Sequence, residues 1–303
     1  MPEFFDLSGE VRDALARRSP IVALESTIIS HGMPHPQNVD TARAVEQIVR
    51  KAGAIPATIA VLRGRVLVGL DDAQLERLAN SNDVRKLSTA DLPYAVSQRR
   101  DGSTTVAATM RCAHAAGIGI FATGGIGGVH RGAERSFDVS ADLYELARTP
   151  VAVVCAGAKA LLDLPKTLET LETLGVPVVG YRTNEFPAFW SRASSLVLSL
   201  RIDEADGIAE FLRAQRALGL QSGAVIANPI PAENEIPRDQ MNGCIETAAR
   251  AAEQACVTGK AVTPWLLERI NALTSGRSLE ANVALVKSNA RLAAEIALSL
   301  AAR

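Results

Sequence analysis

Val151-Ala-Val-Val-Cys-Ala-Gly-Ala-Lys159 is the stretch on which the reading of the fold turns. Val151 to Cys155 is apolar and mostly β-branched, which reads as a strand buried on both faces. Ala156-Gly157-Ala158 reads as a tight turn, and Ala160-Leu161-Leu162-Asp163 as the opening of a helix. Strand, turn and helix in that order are the unit of open α/β sheets, which gather their sites at the carboxyl ends of strands. Lys159 would then present an amine at a strand end beside a helix N-terminus. Desolvation and the helix dipole both disfavour the ammonium form in such a place. A neutral amine can attack a carbonyl and form a Schiff base. The same nine residues equally suit a solvated lysine at the start of a helix, and alone they do not choose.

Working outward, helical and strand patterns alternate along the chain. Downstream come a helix to Leu174, strands at Val178–Gly180 and Leu196–Leu200, a helix over Asp203–Leu218 and a buried strand at Ala224–Ala227. From Pro237 the pattern is only helical, in segments around Asp239–Val257, Pro264–Thr274 and Leu279–Leu300. Upstream, Ser103-Thr104-Thr105 caps a helix running through Ala116, which leads to a strand at Ile118–Ala122. Thr58–Leu62 and Val66–Leu70, joined by Arg63-Gly64-Arg65, read as a β-hairpin. Helices are expected from the Ser8 cap to Arg18, over Asn38–Ala52 with a stop at Gly53, and over Asp71–Asn80; Ile21–Glu25 reads as a buried strand. The pattern predicts an α/β fold: a three-layer α/β/α sandwich around a mixed, mostly parallel sheet, with a helical C-terminal region. No linker rich in Pro, Gly or Ser and no repeat interrupts it, so residues 1–303 are expected to form a single domain.

Lys+Arg number 32 against Asp+Glu 33, a balance that gives no electrostatic case for nucleic acid or an anionic membrane. Aromatic residues are 4% of the chain, too few for a base-stacking surface. Cys112, Cys155, Cys244 and Cys256 show neither CxxC nor Cys/His spacing, as expected of reduced thiols in a cytoplasmic protein. The start, Met1-Pro-Glu-Phe-Phe-Asp, lacks a basic region followed by an apolar run, so no secretory signal is expected.

Several segments could carry chemistry. Glu25 ends a buried strand, where an apolar surround would raise its pKa as a general acid requires; an arginine partner or a turn cap would explain it as well. Thr123-Gly-Gly-Ile-Gly-Gly-Val-His130-Arg131 follows another strand, and its glycines free backbone amides to approach an anion, or simply make a flexible connection. Gly117-Ile-Gly119-Ile-Phe-Ala122 has the letters of a dinucleotide fingerprint but lies before and within a strand, so it does not qualify. In Ser136-Phe-Asp138-Val-Ser140-Ala141-Asp142, Ser140 can cap a helix, and the carboxylates could hold a hard cation such as Mg²⁺ or Mn²⁺. Lys86 could meet a phosphate or carboxylate, or stand solvated. His31 and His35 are four apart, but Pro34 and Pro36 prevent the helix that would align them on a zinc ion. Asn228-Pro-Ile-Pro231 is rigid and polar, fit to line a pocket or to turn the chain.

Taken together, Ala23 to Asn38, Ser103 to Thr109, the glycine loop through Arg131, Asp138 to Asp142, Ala156 to Lys159 and Asn228 to Pro231 resemble the pseudouridine-5′-phosphate glycosidases, the indigoidine synthase A-like family. The segments keep their order through most of the chain, and the length leaves no room for the sugar-kinase domain appended in some relatives. The resemblance implies reversible cleavage of the C–C glycosidic bond of pseudouridine 5′-phosphate to uracil and ribose 5-phosphate. It implies Lys159 as nucleophile, Glu25 as proton donor, Asp138 as ligand of a divalent metal, usually Mn²⁺, and a homotrimer. Lys86, Val106, Ser140, Ala141 and Asp142 would contact substrate, with His130 and Asn282 matching further pocket positions. The implied chemistry explains a lysine where an ordinary glycosidase would place a second carboxylate: a C-glycoside has no leaving heteroatom, and an amine can capture C1′ of the opened sugar as an iminium. Competing expectations are another Schiff-base enzyme acting on a sugar phosphate, such as an aldolase, and a non-catalytic nucleotide-binding accessory protein of a pigment pathway.

Overall fold

The computed structural model of the protein describes residues 3–81, 83–257 and 262–302. Its strands are β1 (Phe5–Leu7), β2 (Ile21–Leu24), β3 (Ile55–Leu62), β4 (Arg65–Val68), β5 (Arg85–Leu87), β6 (Gly102–Thr104), β7 (Ile120–Ala122), β8 (Ala152–Cys155), β9 (Val178–Tyr181), β10 (Leu200–Ile202) and β11 (Ala224–Ala227). The helices are α1 (Gly9–Ala16), α2 (Thr27–His31), α3 (Gln37–Lys51), α4 (Asp72–Asn80), α5 (Leu92–Ser97), α6 (Val106–Ala115) and α7 (Ala133–Ser136). They continue with α8 (Ala141–Arg148), α9 (Leu164–Thr173), α10 (Ala205–Ala217), α11 (Arg238–Gln254), α12 (Val262–Leu273) and α13 (Arg277–Ala301).

Parallel strands run side by side in the order β3-β2-β7-β8-β11-β9-β10. Past β3 the sheet becomes mixed. Both β4 and β6 pair antiparallel with β3, β1 joins β4 and β5 joins β6. The expected hairpin is β3–β4, with Leu62 opposite Arg65. Its two linking residues, Arg63 (φ 52) and Gly64 (φ 75), are both left-handed, as a tight hairpin of the primed type demands.

Period-two alternation divides the interior into two cores. In β2, Val22 and Leu24 face a core shared with α3, α10, α11, α12 and α13, while Ile21 and Ala23 face one shared with α1, α6, α8 and α9. Every residue of β2, β8 and β11 is buried. Burying one Val or Ile side chain stabilises by about 1.5–3 kcal/mol, and a one-residue slip would exchange the two faces, so register is strongly fixed. These layers are the expected α/β/α sandwich, with the helical C-terminal region covering one face. Among the described residues no helix is long and apolar enough to cross a membrane.

Two boundaries differ from the sequence reading by as much as four residues. The helix after Lys159 begins at Leu164, because Asp163 caps it by accepting from the Lys166 amide and Pro165 stands in its first turn. Ala158 and Leu162 instead form bridges with Ile126 and His130 of the glycine loop. Lys159 is therefore held by loop pairing, and the helix-dipole part of the expectation fails, since that field fades within one turn. The alternation at Leu196–Leu200 enters the sheet only at Leu200. Leu196 and Leu198 fold back onto residues 184–186, with Phe186 donating to Leu196 and Leu198 to Asn184, both at 2.8 Å. Periodicity shows that a segment is extended but not which edge it meets.

Candidate active site

From β2 the chain passes through α3 to β3 on one side, whereas β7 on the other side of β2 is entered from α6. These helices lie on opposite faces of the sheet, so strand order reverses between β2 and β7. The loops leaving the two carboxyl ends diverge at such a point and leave a crevice.

Glu25, the first residue after β2, occupies this crevice, and Thr123, the first after β7, donates its hydroxyl hydrogen to Glu25 Oε1. Strand β8 leads through Gly157, whose φ is +80 and where an added Cβ would lie 2.2 Å from the Pro187 carbonyl oxygen. Only glycine fits that turn. Beyond it, the Lys159 amide donates to Ile126 and the Ile126 amide to Gly157, fixing the lysine backbone to the glycine loop. Glu25 and Lys159 thereby line one pocket, together with Lys86 from β5, Asn282 from α13, His31 from the end of α2, and Phe189.

Burial is the strongest influence on Glu25 and pushes its pKa up. The charge of Lys159, the Thr123 hydrogen bond and Lys86 pull it back, the charge of Asp142 adds to the rise, and the carboxyl remains raised. Burial and then the charge of Lys86 push the His31 imidazole down, against a hydrogen bond to the Val84 backbone. The site thus holds a carboxyl biased toward its proton and an imidazole biased toward neutrality. Burial pushes the thiols of Cys112 and Cys155, neither of which lines this pocket, up to about 12.

Val106, His130, Asp138, Ser140, Ala141 and Asp142 are not among the residues lining this pocket. They form an adjoining edge. Val106 opens α6 after the Thr105 cap, and Ser140 caps α8 by accepting from the Asp142 amide. The Asp142 carboxylate is turned inward, Oδ1 accepting from Ala107 and Oδ2 from Gly127. It ties the start of α6 to the glycine loop. The anion that the Gly127 amide meets is thus the protein's own. The glycines are explained by close packing: an added Cβ would lie 2.7 Å from Phe189 at Gly125, 2.2 Å from Ser140 Oγ at Gly127 and 2.4 Å from Thr167 at Gly128.

Asp138 stands on this edge with its side chain 50% exposed, and His130 Nδ1 lies 3.8 Å from its Oδ2. Among the described residues no cluster of three or more His, Cys, Asp or Glu side chains could enclose a metal. A single open carboxylate does not make a cage. It fits a hard ion that keeps most of its water and shares a phosphate, as Mg²⁺ and Mn²⁺ do.

Three features escaped the sequence reading. In the sequence Thr123 is part of a glycine loop, with nothing local to show that its hydroxyl crosses to Glu25. In the sequence His31 stands out only for its spacing from His35, which does not suit a zinc ion. A buried amide network joins Asn228 to Ser288 and Asn289, and Asn289 in turn to the carbonyls of Thr123 and Gly124, which fastens the loop to α13. Asn289 and Asn282 recur on α13 at a spacing of seven among apolar residues, the one sequence signal that the helix carries polar contacts inward.

The family model described as indigoidine synthase A like protein matches residues 10–299. A pseudouridine-5′-phosphate glycosidase of Solibacter usitatus is 62% identical over 97% of this chain and 98% of its own length. One from Methylobacterium nodulans is 60% identical, over 97% of this chain and 88% of its own length. Among solved structures, a prealnumycin C-glycosynthase in complex with ribulose 5-phosphate superposes with a TM-score of 0.92 at 36% identity, covering 100% of this chain and 98% of that one. An indigoidine synthase A-like protein from Thermotoga maritima gives 0.89 at 34% identity, covering 98% and 97%. With the match spanning nearly all of its length and the same architecture throughout, the chain belongs to the indigoidine synthase A-like family.

Proposed function

We propose that this protein reversibly cleaves the C–C glycosidic bond of pseudouridine 5′-phosphate to uracil and ribose 5-phosphate, with Glu25 as proton donor and Lys159 as nucleophile. The observation that carries the reading is the meeting of these two side chains in one pocket at the switch point, where burial keeps Glu25 biased toward its proton. Relatives about 60% identical bear the name of this activity.

Glu25 gives its proton to the ring oxygen O4′ as the C1′–O4′ bond breaks, and the Lys159 amine bonds to C1′. Once C5 of uracil has gained a proton, the C1′–C5 electron pair stays with the base while the lysine nitrogen forms the C1′ iminium. Water then adds, freeing the amine and ribose 5-phosphate. Thr123 holds the Glu25 carboxyl in place, and Lys86 supplies positive charge to the pocket. On the family resemblance the 5′-phosphate would lie at the edge of Val106, Ser140, Ala141 and Asp142, where two helices begin and where the amides of Ala107 and Gly127 are already taken by Asp142, with His130 and Asn282 as further contacts. Asp138 would hold Mn²⁺ or Mg²⁺, and the ion when bound would offset phosphate charge.

The proposal extends to residues 1–303 acting as one domain, to a homotrimer on the family resemblance, and to a cytoplasmic setting suited to four unpaired cysteines. A second reading, synthesis of a C-glycoside on another acceptor, is favoured by the likeness to the C-glycosynthase. One assay separates the readings. Purified protein with Mn²⁺ should convert uracil and ribose 5-phosphate to pseudouridine 5′-phosphate; a folded protein that makes none would overturn the proposal in favour of another acceptor, an aldolase or an accessory role.

A further inference from the structure

His31 is the pocket group that the proposed reaction leaves without a task. It ends α2, just after the segment Glu25-Ser26-Thr27 that leaves β2, and Ser26 anchors this corner by donating to the Ile59 carbonyl and accepting from the Thr104 amide. The Val84 backbone acts on one imidazole nitrogen and favours a proton there. The other, Nε2, is buried and has no hydrogen-bond partner among the described residues, and the same holds for Asn282 Oδ1 on another wall of the same pocket. Buried polar atoms are rarely left so, and each lost partner is costly, which points to a ligand that supplies it. With the proton on that nitrogen, a neutral imidazole offers Nε2 only as an acceptor. The charge of Lys86 nearby favours that neutral form. The pocket therefore presents two orphan acceptors and asks for two donors.

Uracil joined to a sugar through carbon keeps two N–H groups, N1–H and N3–H. Joined through N1 it keeps only N3–H. We infer that His31 is a specificity-determining residue whose Nε2 accepts one of the two N–H bonds of the base, so that His31 and Asn282 together read the donor pair that a C-linked or free uracil carries and an N-linked uracil lacks. The inference rests on the reaction proposed above. It adds a reason, located in this chain, for the pocket to prefer a C-glycoside: an N-linked nucleotide would leave one buried acceptor unpaired, and sites built around a hydrogen bond reject ligands that cannot make it.

The test uses the synthetic direction, with ribose 5-phosphate and three bases: uracil, 1-methyluracil and 3-methyluracil. Wild-type protein making product from uracil upholds the parent reaction independently of His31, and failure there brings both ideas down. His31→Phe keeps a ring without an acceptor and should lower kcat/KM for uracil by roughly tenfold to a hundredfold. The penalty for methylating the nitrogen that His31 reads should be large in wild type and nearly absent in His31→Phe, because both changes remove the same bond. His31→Gln, which restores an acceptor oxygen, should recover part of the activity and of the discrimination. Equal methyl penalties in wild type and His31→Phe at both nitrogens would overturn the assignment, and so would wild-type kcat/KM for uracil in that variant. Should His31→Phe fail to fold, histidine-selective ¹⁵N NMR of wild-type protein decides. The Nε2 resonance absent from the His31→Gln spectrum must move on adding uracil and must not move with one of the two methylated bases; a resonance indifferent to all three bases refutes the role.

Discussion

The pocket that holds Glu25 and Lys159 and the edge that carries Asp138 lie on the same end of the sheet, yet they are built from different materials. In the pocket, side chains leave parallel strand ends and a long helix, and their supports are buried: Asn289 on the Thr123 carbonyl, Ser26 on the Ile59 carbonyl. At the edge, Asp138 follows Phe137, which is 85% exposed and has φ 55, in the loop between α7 and α8. The difference matches two kinds of work. Proton transfer and amine attack need groups whose charge states are set by desolvation, whereas a hydrated cation and a phosphate need charge that water can reach.

The sharpest division between the two regions is expected from Lys159→Ala. If Lys159 is the nucleophile proposed, its removal should lower turnover on the order of 10⁴-fold or more, while the proposed metal binding at the edge stays intact. Borohydride should trap a ribose-phosphate adduct on wild-type Lys159 and none on the variant. An adduct on another lysine, or loss of metal binding along with turnover, would break the separation of roles.

Glu25→Gln should follow, at about 10²–10⁴-fold in kcat. Because the Glu25 pKa is raised by burial, its proton persists to higher pH than on an exposed glutamate, and if that proton is the one donated, wild-type activity should fall as pH rises through the raised value. Linkage gives stability the same sign. A carboxyl with a higher pKa folded than unfolded contributes stability that is complete below the ordinary carboxylate range and lost as pH rises through the folded pKa. Glu25→Gln should therefore melt above wild type at pH 8, with the advantage vanishing near pH 4. A melting difference that does not vary with pH would show that the carboxyl is not held protonated by its surroundings.

Much of the pocket was legible in the chain because strand ends can be read locally. The apolar runs Ile21–Leu24 and Ala152–Cys155 placed Glu25 and Lys159 at carboxyl ends, and Gly157 marked the turn between β8 and the lysine. The supports were not legible, because they join residues far apart in sequence. Asn289 reaches Thr123 across 166 positions, and no periodicity in α13 says which loop it will meet. The short β5 and β6, three residues each, fall below the length at which alternation can be recognised, so the strand that delivers Lys86 was missed although Lys86 itself was matched. Asn289→Ala tests the hidden support. Its buried partners at Thr123, Gly124 and Asn228 would be left short, at a cost of about 1–3 kcal/mol, seen as a melting temperature lower by several degrees. Unchanged melting would mean that the glycine loop is held by its packing against Phe189 and Ser140 alone.

The edge should respond most gently. Asp138 is one exposed carboxylate with His130 beside it, so a bound ion would draw most of its ligands from water and substrate phosphate. Asp138→Ala should raise the Mn²⁺ concentration for half-maximal effect by about tenfold, about 1.4 kcal/mol, and leave melting without metal unchanged, since the side chain supports no buried contact. Titrating free Mn²⁺ by electron paramagnetic resonance reads the binding without recourse to turnover. If the ion binds the variant as tightly as wild type, Asp138 is not its ligand, and the openness of this edge must serve the phosphate alone. If instead the variant loses turnover as completely as Lys159→Ala does, the edge and the pocket are one cooperative site, and the contrast in their burial would not divide their labour.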